Sequence, residues 1–221
     1  MNFLAHLHVA APVRGLMLGG VLADLLKPAE IATLPADVRD GVRLHRLVDG
    51  FTDRHPVVQR SIRRVSDGLG WFSGIVVDVY FDHLLARTWG DYAAEPLRDF
   101  ADRCYALFRD AAPGLPAEGQ RFAHHFAADD RLVRYGTADG IADTLDRVSA
   151  RIAARMPTRA VRLRDAMPAL LGRRSGRQGS RTTGERDQLR VELAEVGREV
   201  GVGGVTVQSA SPPPEDRPCP S

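Results

Sequence analysis

The sequence has little lysine, little cysteine and no long apolar run. Only Lys27 is a lysine, so arginine supplies 29 of the 30 basic residues. The two cysteines, Cys104 and Cys219, are too few and too far apart for a disulfide framework or a zinc-binding pattern. No apolar stretch approaches the roughly 20 residues of a membrane-spanning helix, and the N-terminus lacks the basic region of a signal peptide. These absences predict a cytoplasmic protein that does not contact a membrane.

An excess of charge of one sign is also absent. The 30 basic and 28 acidic residues leave a formal net charge of +2 at pH 7. Nucleic-acid-binding domains usually carry a marked basic excess, so nucleic acid is not an expected partner. The use of arginine in place of lysine has two possible causes. Arginine suits the binding of phosphate and carboxylate groups, and a GC-rich coding bias gives the same composition.

Aromatic residues are missing from the C-terminal part of the chain. All 14 lie between Phe3 and Tyr135, and residues 173–221 contain none. Of those last 49 residues, 17 are glycine, proline or serine. Such a segment cannot bury enough apolar surface to offset the entropy of ordering it. We therefore predict one domain over residues 1–172 and a low-complexity, largely disordered tail over 173–221, with a short helical segment at 187–200.

Before residue 173 the apolar residues recur at three- and four-residue spacing, which is typical of helices. Alternation with a period of two, bounded by hairpin turns, is absent. The pattern predicts an all-α domain of about seven or eight helices. The helical segments are 2–10, 15–26, 37–51, 56–69, 75–89, 97–111, 120–135 and 140–155.

Imidazoles and carboxylates lie within several mainly apolar segments. His45, Asp49 and Asp53 are spaced four residues apart, which places them on one face of a continuous helix, whereas a helix that ends early at Gly50 would leave Asp53 off that face. Asp78 and Asp82 have the same spacing. A carboxylate in apolar surroundings is costly unless it is paired or binds a cation. The residues of this kind are Asp24, His45, Asp49, Asp78, Asp82 and His83, with His6 and His8 near the N-terminus.

These residue types suit a divalent ion, which in a helical bundle can lower the pKa of water and neutralise a phosphoryl oxygen. Individual residues also fit roles that involve no metal. Ion pairs with Arg43, Arg46 or Arg87 are the main alternative for the aspartates. His8 fits a hydrogen-bonded core histidine, and Asp53 fits a helix cap.

Four motifs occur in order: MNFLAHLHVA, GGVLADLLK, GVRLHRLVDGFTDRHP and DVYFDHLLARTW. In combination they resemble the acyl carrier protein phosphodiesterase family over about residues 1–172. The resemblance implies a helical domain related to the HD-domain phosphohydrolases and a dependence on a divalent metal, usually Mn²⁺, with Mg²⁺, Fe²⁺ or Zn²⁺ as alternatives. It also implies hydrolysis of the phosphodiester between 4′-phosphopantetheine and a serine of acyl carrier protein, an acidic protein. The sequence departs from the family pattern after about Leu171.

On the residues of this chain, the family's motifs fall on the set already identified. The resemblance implies catalytic roles for Asp24, Arg46 and Asp49, with Arg46 stabilising phosphate charge. The implied pool of metal ligands and the residues that orient them is Asp24, His45, Asp49, Asp78, Asp82 and His83. The opening histidines are His6 and His8.

Two alternative functions stay open. One is a phosphohydrolase of the same fold that acts on a small phosphoester, because a fold does not determine a substrate. The second is an inactive helical binding module that has lost activity with its altered tail. Arg60, Arg63 and Arg64 share a helix face and provide either a surface for an acidic partner or ordinary solvated residues.

Overall fold

A computed structural model of the chain describes residues 3–67, 69–157 and 161–170. Every regular element among those residues is a helix. Four short 3₁₀ segments, including Gly70–Phe72 and Leu163–Ala166, join the α-helices. The α-helices are α1 Phe3–Ala10, α2 Arg14–Leu22, α3 Pro28–Ala32, α4 Ala36–Thr52, α5 Pro56–Val65, α6 Ser73–Arg87, α7 Leu97–Ala111, α8 Ala117–Ala128, α9 Arg131–Arg134, α10 Ala138–Arg155 and α11 Met167–Leu170.

The predicted all-α class is confirmed, because eight of these helices have eight or more residues. Several helix boundaries differ from those that the sequence pattern predicts, such as the ends of α2 at Leu22 and of α5 at Val65. Helix α4 continues past Gly50 to Thr52, so Gly50 does not end it early. The single helix predicted over 120–135 is divided into α8 and α9, because Asp130 adopts a left-handed conformation with φ of 45°. A helix cannot continue through that conformation.

Two glycines set the close crossing of α2 and α4. A Cβ atom on Gly41 would lie 2.5 Å from the carbonyl oxygen of Leu16, and one on Gly19 would overlap the backbone of Val38. Only residues without a side chain allow the two backbones to approach this closely. The consequence for the site is that α4 lies directly against α2.

Phenylalanine rings join the first helix to the middle of the bundle. Phe3 packs edge-on against Phe122 and Phe126 of α8, with ring centroids 5.3 and 6.2 Å apart. Phe108 of α7 meets Phe126 in the same manner, at 5.2 Å. Such pairs contribute packing specificity beyond their buried area. Helix α1 is therefore fixed at its start by the core between α7 and α8.

The N-terminus of α1 is also held by a buried carboxylate. The two oxygens of Asp82, on α6, accept hydrogen bonds from the backbone N–H groups of Leu4 and Ala5, each at 3.0 Å. These N–H groups belong to the first turn, where a helix has no internal partner for them. Burial outweighs these bonds and raises the pKa of Asp82 to about 7. This contact and the phenylalanine packing together orient His6, one turn further along α1.

The helical core extends to the last part of the described chain. Leu163 is fully buried, and its N–H group donates to Ser149 Oγ on α10 at 3.1 Å. The predicted domain boundary at residue 172 and the tail beyond it lie outside the described residues, so both stay predictions. No helix in the described ranges is long and apolar enough to cross a membrane.

Candidate metal centre

Two helices bring two histidines and one aspartate together. His6 comes from α1, and His45 and Asp49 lie one turn apart on α4. Each carboxylate oxygen of Asp49 meets a different ring: Oδ1 lies 3.0 Å from His6 Nε2, and Oδ2 lies 3.0 Å from His45 Nε2. The two imidazole rings are stacked, with centroids 4.0 Å apart and planes 30° apart. Among the described residues, these three form the group whose ligand atoms all lie within 4.8 Å of one another.

Asp24 adds a second carboxylate to the same nitrogen. It follows α2 after a single intervening residue, and its Oδ1 lies 3.3 Å from His45 Nε2. Helices α2 and α4 cross closely, and Asp24 follows the end of α2 beside the middle of α4. This crossing allows Asp24 to reach His45. His45 is therefore shared by two carboxylates from different parts of the chain.

Charge in this group is unevenly distributed. Burial disfavours the imidazolium of His45, but hydrogen bonds to Asp24 and Asp49 outweigh it and raise the pKa of His45 to about 9. Burial also opposes ionisation of the carboxyls, yet the bond to His45 lowers the pKa of both Asp24 and Asp49. For His6, burial is the largest influence and lowers its pKa despite Asp49. The metal-free site thus holds two carboxylates around a cationic His45 and a neutral His6.

The donor set fits a divalent cation. Imidazole nitrogens with carboxylate oxygens suit Mn²⁺, Fe²⁺ and Zn²⁺, and both rings are buried, which restricts their orientation. The Nε2 atoms of His6 and His45 point at the carboxylates, so a cation among these oxygens meets both nitrogens. The Nδ1 atom of His45 is buried and has no hydrogen-bond partner within the described ranges. No neighbour therefore fixes the tautomer of His45 at Nδ1, and the contacts at Nε2 govern its protonation.

Two further carboxylates, those of Asp53 and Asp78, lie beside this group. Asp53 follows directly after α4, and burial, then the neighbouring Asp78 and Asp49, raise the pKa of Asp53. Carboxylates that repel one another in this way are stabilised by a cation. Asp78 lies on α6, so this carboxylate comes from another helix. The structure places Asp53 and Asp78 beside the three-residue group rather than within it.

Two predicted ligands lie elsewhere, with main-chain partners. Asp82 binds the first turn of α1, as described above. His83 is buried, and its Nδ1 lies 2.6 Å from the carbonyl oxygen of Tyr135, to which it donates. The structure therefore brings Asp24, His45 and Asp49 together, and it does not bring Asp82 and His83 to them.

The opening histidines have different surroundings. His6 belongs to the group of ligand atoms, although the motif alone did not place it in the ligand pool. His8 packs edge-on against Trp89 at 5.0 Å, and burial lowers its pKa to about 4. The sequence signal for His6 was its position in a nearly all-apolar helix, where a buried imidazole requires a partner.

Two arginines lie close in the chain to the residues of the site. Arg46 is exposed on α4. Arg54, which sequence reasoning missed, places its Nη1 3.8 Å from the position that a Cβ on Gly50 would occupy. The positive charge of Arg54 also acts on Asp53, which borders the cluster. The sequence signal for Arg54 was its position between Asp53 and His55 in the TDRHP segment.

Comparisons with known proteins identify the family of the chain. A family model described as acyl carrier protein phosphodiesterase matches residues 1–172. The chain belongs to this family. The acyl carrier protein phosphodiesterase family is one of phosphoric diester hydrolases, and its match covers every described residue and all four site residues.

Several curated relatives carry the name acyl carrier protein phosphodiesterase. Those of Pectobacterium atrosepticum and Yersinia pestis are each 34% identical over 152 residues, which is 68% of this chain and 79% of the relative. One from Escherichia coli is 33% identical over 155 residues, with the same shares. No solved structure gives a significant match.

Proposed function

We propose that this protein hydrolyses the phosphodiester between 4′-phosphopantetheine and a serine of holo acyl carrier protein. Water adds to phosphorus, the bond from phosphorus to the serine oxygen breaks, and that oxygen takes a proton. The products are apo carrier protein and free 4′-phosphopantetheine. The observation that carries the proposal is the His6, His45 and Asp49 group, within a chain that belongs to a family named for this activity.

We infer that His6, His45, Asp49 and Asp24 hold a divalent ion, Mn²⁺ in the first instance. When bound there, the ion supplies a Lewis acid for a phosphoryl oxygen and a lower pKa for water. His6 and His45 must be neutral to serve as ligands, so loading the site releases the proton that His45 holds at neutral pH. Asp24 and Asp49 contact His45 at Nε2, the nitrogen that would bind the ion, so these two carboxylates would share the ion with His45.

Arg46 and Arg54 are proposed to bind the phosphate oxygens. A guanidinium offers several N–H donors in a plane and stabilises negative charge that grows on phosphorus-bound oxygens. Arg46 lies one residue after His45, and Arg54 lies beside Gly50. Arg46 lies on α4 and Arg54 follows the end of α4, so both are close in the chain to His45 and Asp49. The expected cost of losing either arginine falls on turnover rather than on metal binding.

We propose that the exposed face of α5 receives the carrier protein. Arg60, Arg63 and Arg64 lie on this face, and the connection after α5 carries Trp71, which is 95% exposed. Acyl carrier proteins are strongly acidic, so charge complementarity favours this face as the docking surface. Aromatic and arginine side chains are enriched at the centre of protein interfaces.

The test is an assay for the conversion of holo to apo carrier protein. The change in mass of the carrier protein measures this conversion. Conversion is expected with Mn²⁺, and it should stop with a chelator. Asp49→Asn should lower turnover by at least about 100-fold, because it removes the negative charge and one of the two oxygens that contact the histidines. Asp40→Asn is the matched control, since Asp40 is an exposed acid of the same helix, paired with Arg43. Its turnover should equal that of the wild type.

Two outcomes would replace this function with the alternatives. Cleavage of a small phosphodiester such as bis(p-nitrophenyl) phosphate, without action on holo carrier protein, would indicate a small-phosphoester hydrolase. Binding of Mn²⁺ by the wild type without turnover of either substrate would indicate a binding module. Retention of full activity by Asp49→Asn would remove Asp49 from the site.

A further inference from the structure

A second cleft lies between α1, α9 and α10. It has a volume of about 150 Å³, and its wall includes Arg131, Arg147 and Arg151. The hydroxyl-bearing residues Tyr135 and Thr144 also line it, and no carboxylate does. This volume admits a tetrahedral oxyanion together with a few water molecules. Three guanidinium groups therefore border one cleft, and none of the described residues in its wall is an acid.

The three arginines differ in their partners. Arg131 donates from Nε and Nη2 to Asp129 Oδ2, at 3.1 and 3.0 Å. Arg151 pairs with Glu118 at 3.1 Å. Arg147 has no ion pair with any residue in the described ranges, and its hydrogen bond is a donation to Thr144 Oγ1 at 3.1 Å. One guanidinium of the cleft is therefore left without a counter-charge.

The surroundings of Arg147 make this missing counter-charge significant. Burial, then the positive charge of Arg131, lower the pKa of Arg147. Asp129 and Asp143 act in the opposite direction, but each is bonded to another arginine, Arg131 and Arg134. A half-buried cation beside a second cation is unfavourable unless an anion joins them. Thr144, which donates to the carbonyl of Gly140, holds the Arg147 guanidinium in place.

We propose that this arginine cleft binds a phosphate monoester dianion, with Arg147 as its main contact. A guanidinium matches a phosphate with paired N–H donors, and a dianion gains more than a monoanion from three arginines. Phe3 supplies an apolar wall, and Tyr135 also lines the cleft.

The position of the cleft favours a particular source for the anion. Leu25 in its wall directly follows Asp24, and Phe3 precedes His6 by one helical turn. The cleft thus begins next to the proposed metal ligands. The proposed reaction releases 4′-phosphopantetheine, which is a phosphate monoester, so this source rests on the proposed function. The anion site itself rests on the cleft alone.

The experiment is a calorimetric titration of the full chain, after metal removal by a chelator, at low salt. Inorganic phosphate, 4′-phosphopantetheine and unphosphorylated pantetheine are the three probes. Wild type is expected to bind both phosphates and not pantetheine. Arg147→Met, which keeps the apolar stem, should weaken phosphate binding at least about tenfold, a change of about 1.4 kcal/mol. Arg147→Lys should fall between the two.

Arg155→Met is the matched control, because Arg155 is an exposed arginine two turns further along the same helix. Its phosphate affinity should equal that of the wild type. Phosphate should also raise the thermal midpoint of the wild type and of Arg155→Met, but not that of Arg147→Met. This second measurement establishes that the Arg147 variant is folded, since its own unfolding transition is observed.

The results of these titrations distinguish the two sources of the anion and also show whether the proposal has failed. Tenfold tighter binding of 4′-phosphopantetheine than of inorganic phosphate indicates a product site, whereas equal affinity indicates a site for free phosphate. Equal binding by wild type and Arg147→Met, or no binding of either phosphate up to about 10 mM, would overturn the proposal. None of these titrations requires turnover, so a failure of the proposed enzymatic function leaves their reading unchanged.

Discussion

Asp49 shows how one side chain can connect two buried histidines. Its two oxygens contact rings from α1 and α4, and neither ring can rotate away because both are buried. The side chain of Asp49 itself is 43% exposed, so it links the buried rings to the solvent-accessible edge of the site. A cation that enters from solvent therefore meets the carboxylate first and the imidazoles behind it.

At this scale the first prediction concerns pH. The pKa of His45 is raised to about 9 in the metal-free protein, from 6.5 in the unfolded chain. The stabilisation that this difference provides is fully present below pH 6.5 and is lost as the pH rises through 9. The loss should approach about 3 kcal/mol in the free energy of unfolding.

Urea unfolding of chelator-treated protein between pH 6 and pH 10 measures this loss. His45→Gln should show a much flatter dependence over the same range, because its side chain does not titrate. An equally steep decline in the variant would assign the effect to another group. Affinity for Mn²⁺ should change in the opposite direction and increase with pH, since the ion displaces the proton of His45.

The second prediction separates a helix-capping role for Asp82 from a metal-binding one. Asp82→Ala should lower the free energy of unfolding by about 2 to 4 kcal/mol, because it leaves the N–H groups of Leu4 and Ala5 buried without partners. Asp82→Asn, which retains one acceptor oxygen and no charge, should cost less than half as much. Both variants should still bind Mn²⁺ in a calorimetric titration. If a folded Asp82→Asn protein did not bind Mn²⁺, Asp82 would be assigned as a metal ligand.

Among the helices, the contact between α2 and α4 matters most for the site. Asp24 leaves one of these helices and His45 belongs to the other, so their 3.3 Å contact depends on how closely the helices cross. Gly19 and Gly41 permit that approach. Gly19 thus has a packing role within α2.

The third prediction follows from this crossing. Gly41→Ala should lower the free energy of unfolding by at least about 3 kcal/mol, since its Cβ would overlap the backbone of Leu16 and force α2 and α4 apart. Gly74→Ala is the control, because nothing lies within 4 Å of the position of its Cβ in α6. It should be neutral or stabilising by up to about 1 kcal/mol. Similar urea midpoints for both variants would show that the crossing tolerates a methyl group.

For the whole molecule, the fourth prediction concerns encounter with the carrier protein. Replacing Arg60, Arg63 and Arg64 with alanine should lower the association rate by about tenfold at low salt, and the difference should shrink as salt is added. Surface plasmon resonance with holo carrier protein measures both rates. Replacing Arg103, Arg121 and Arg164, which are exposed and paired with acids, is the control. An unchanged association rate for the first variant would show that α5 presents only a solvated face.

The fifth prediction concerns the end of the chain. Truncation after Gly172 should shift the thermal midpoint by only a few degrees, because residues 173–221 contain no aromatic residue. Truncation before Leu163 should be far more harmful, since that side chain is fully buried. A decrease of more than about 8 °C for the first truncation, measured by calorimetry, would indicate that the 187–200 segment packs on the domain.

The helical class and part of the site were already determined by local sequence. Apolar residues three and four positions apart must share a helix face wherever the helix packs, so the pattern predicted α7 within its observed bounds. The spacing of His45 and Asp49 placed them on one face for the same reason. Such statements depend on neighbours along the chain and need no knowledge of the fold. The break at Asp130 escaped prediction because no nearby glycine or proline marks it.

Only the tertiary structure decided which ionisable groups meet. Asp49 and Asp82 are alike in sequence, as carboxylates at four-residue spacing within apolar helices, yet one contacts two imidazoles and the other caps a distant helix. His6 lies 39 positions before His45 in the chain, and no local pattern places their rings 4.0 Å apart. The cost of burying a charge requires that each group find a partner, but it does not specify which one. That choice depends on the crossing of α2 with α4 and on the anchoring of α1, which arise from packing across the whole domain.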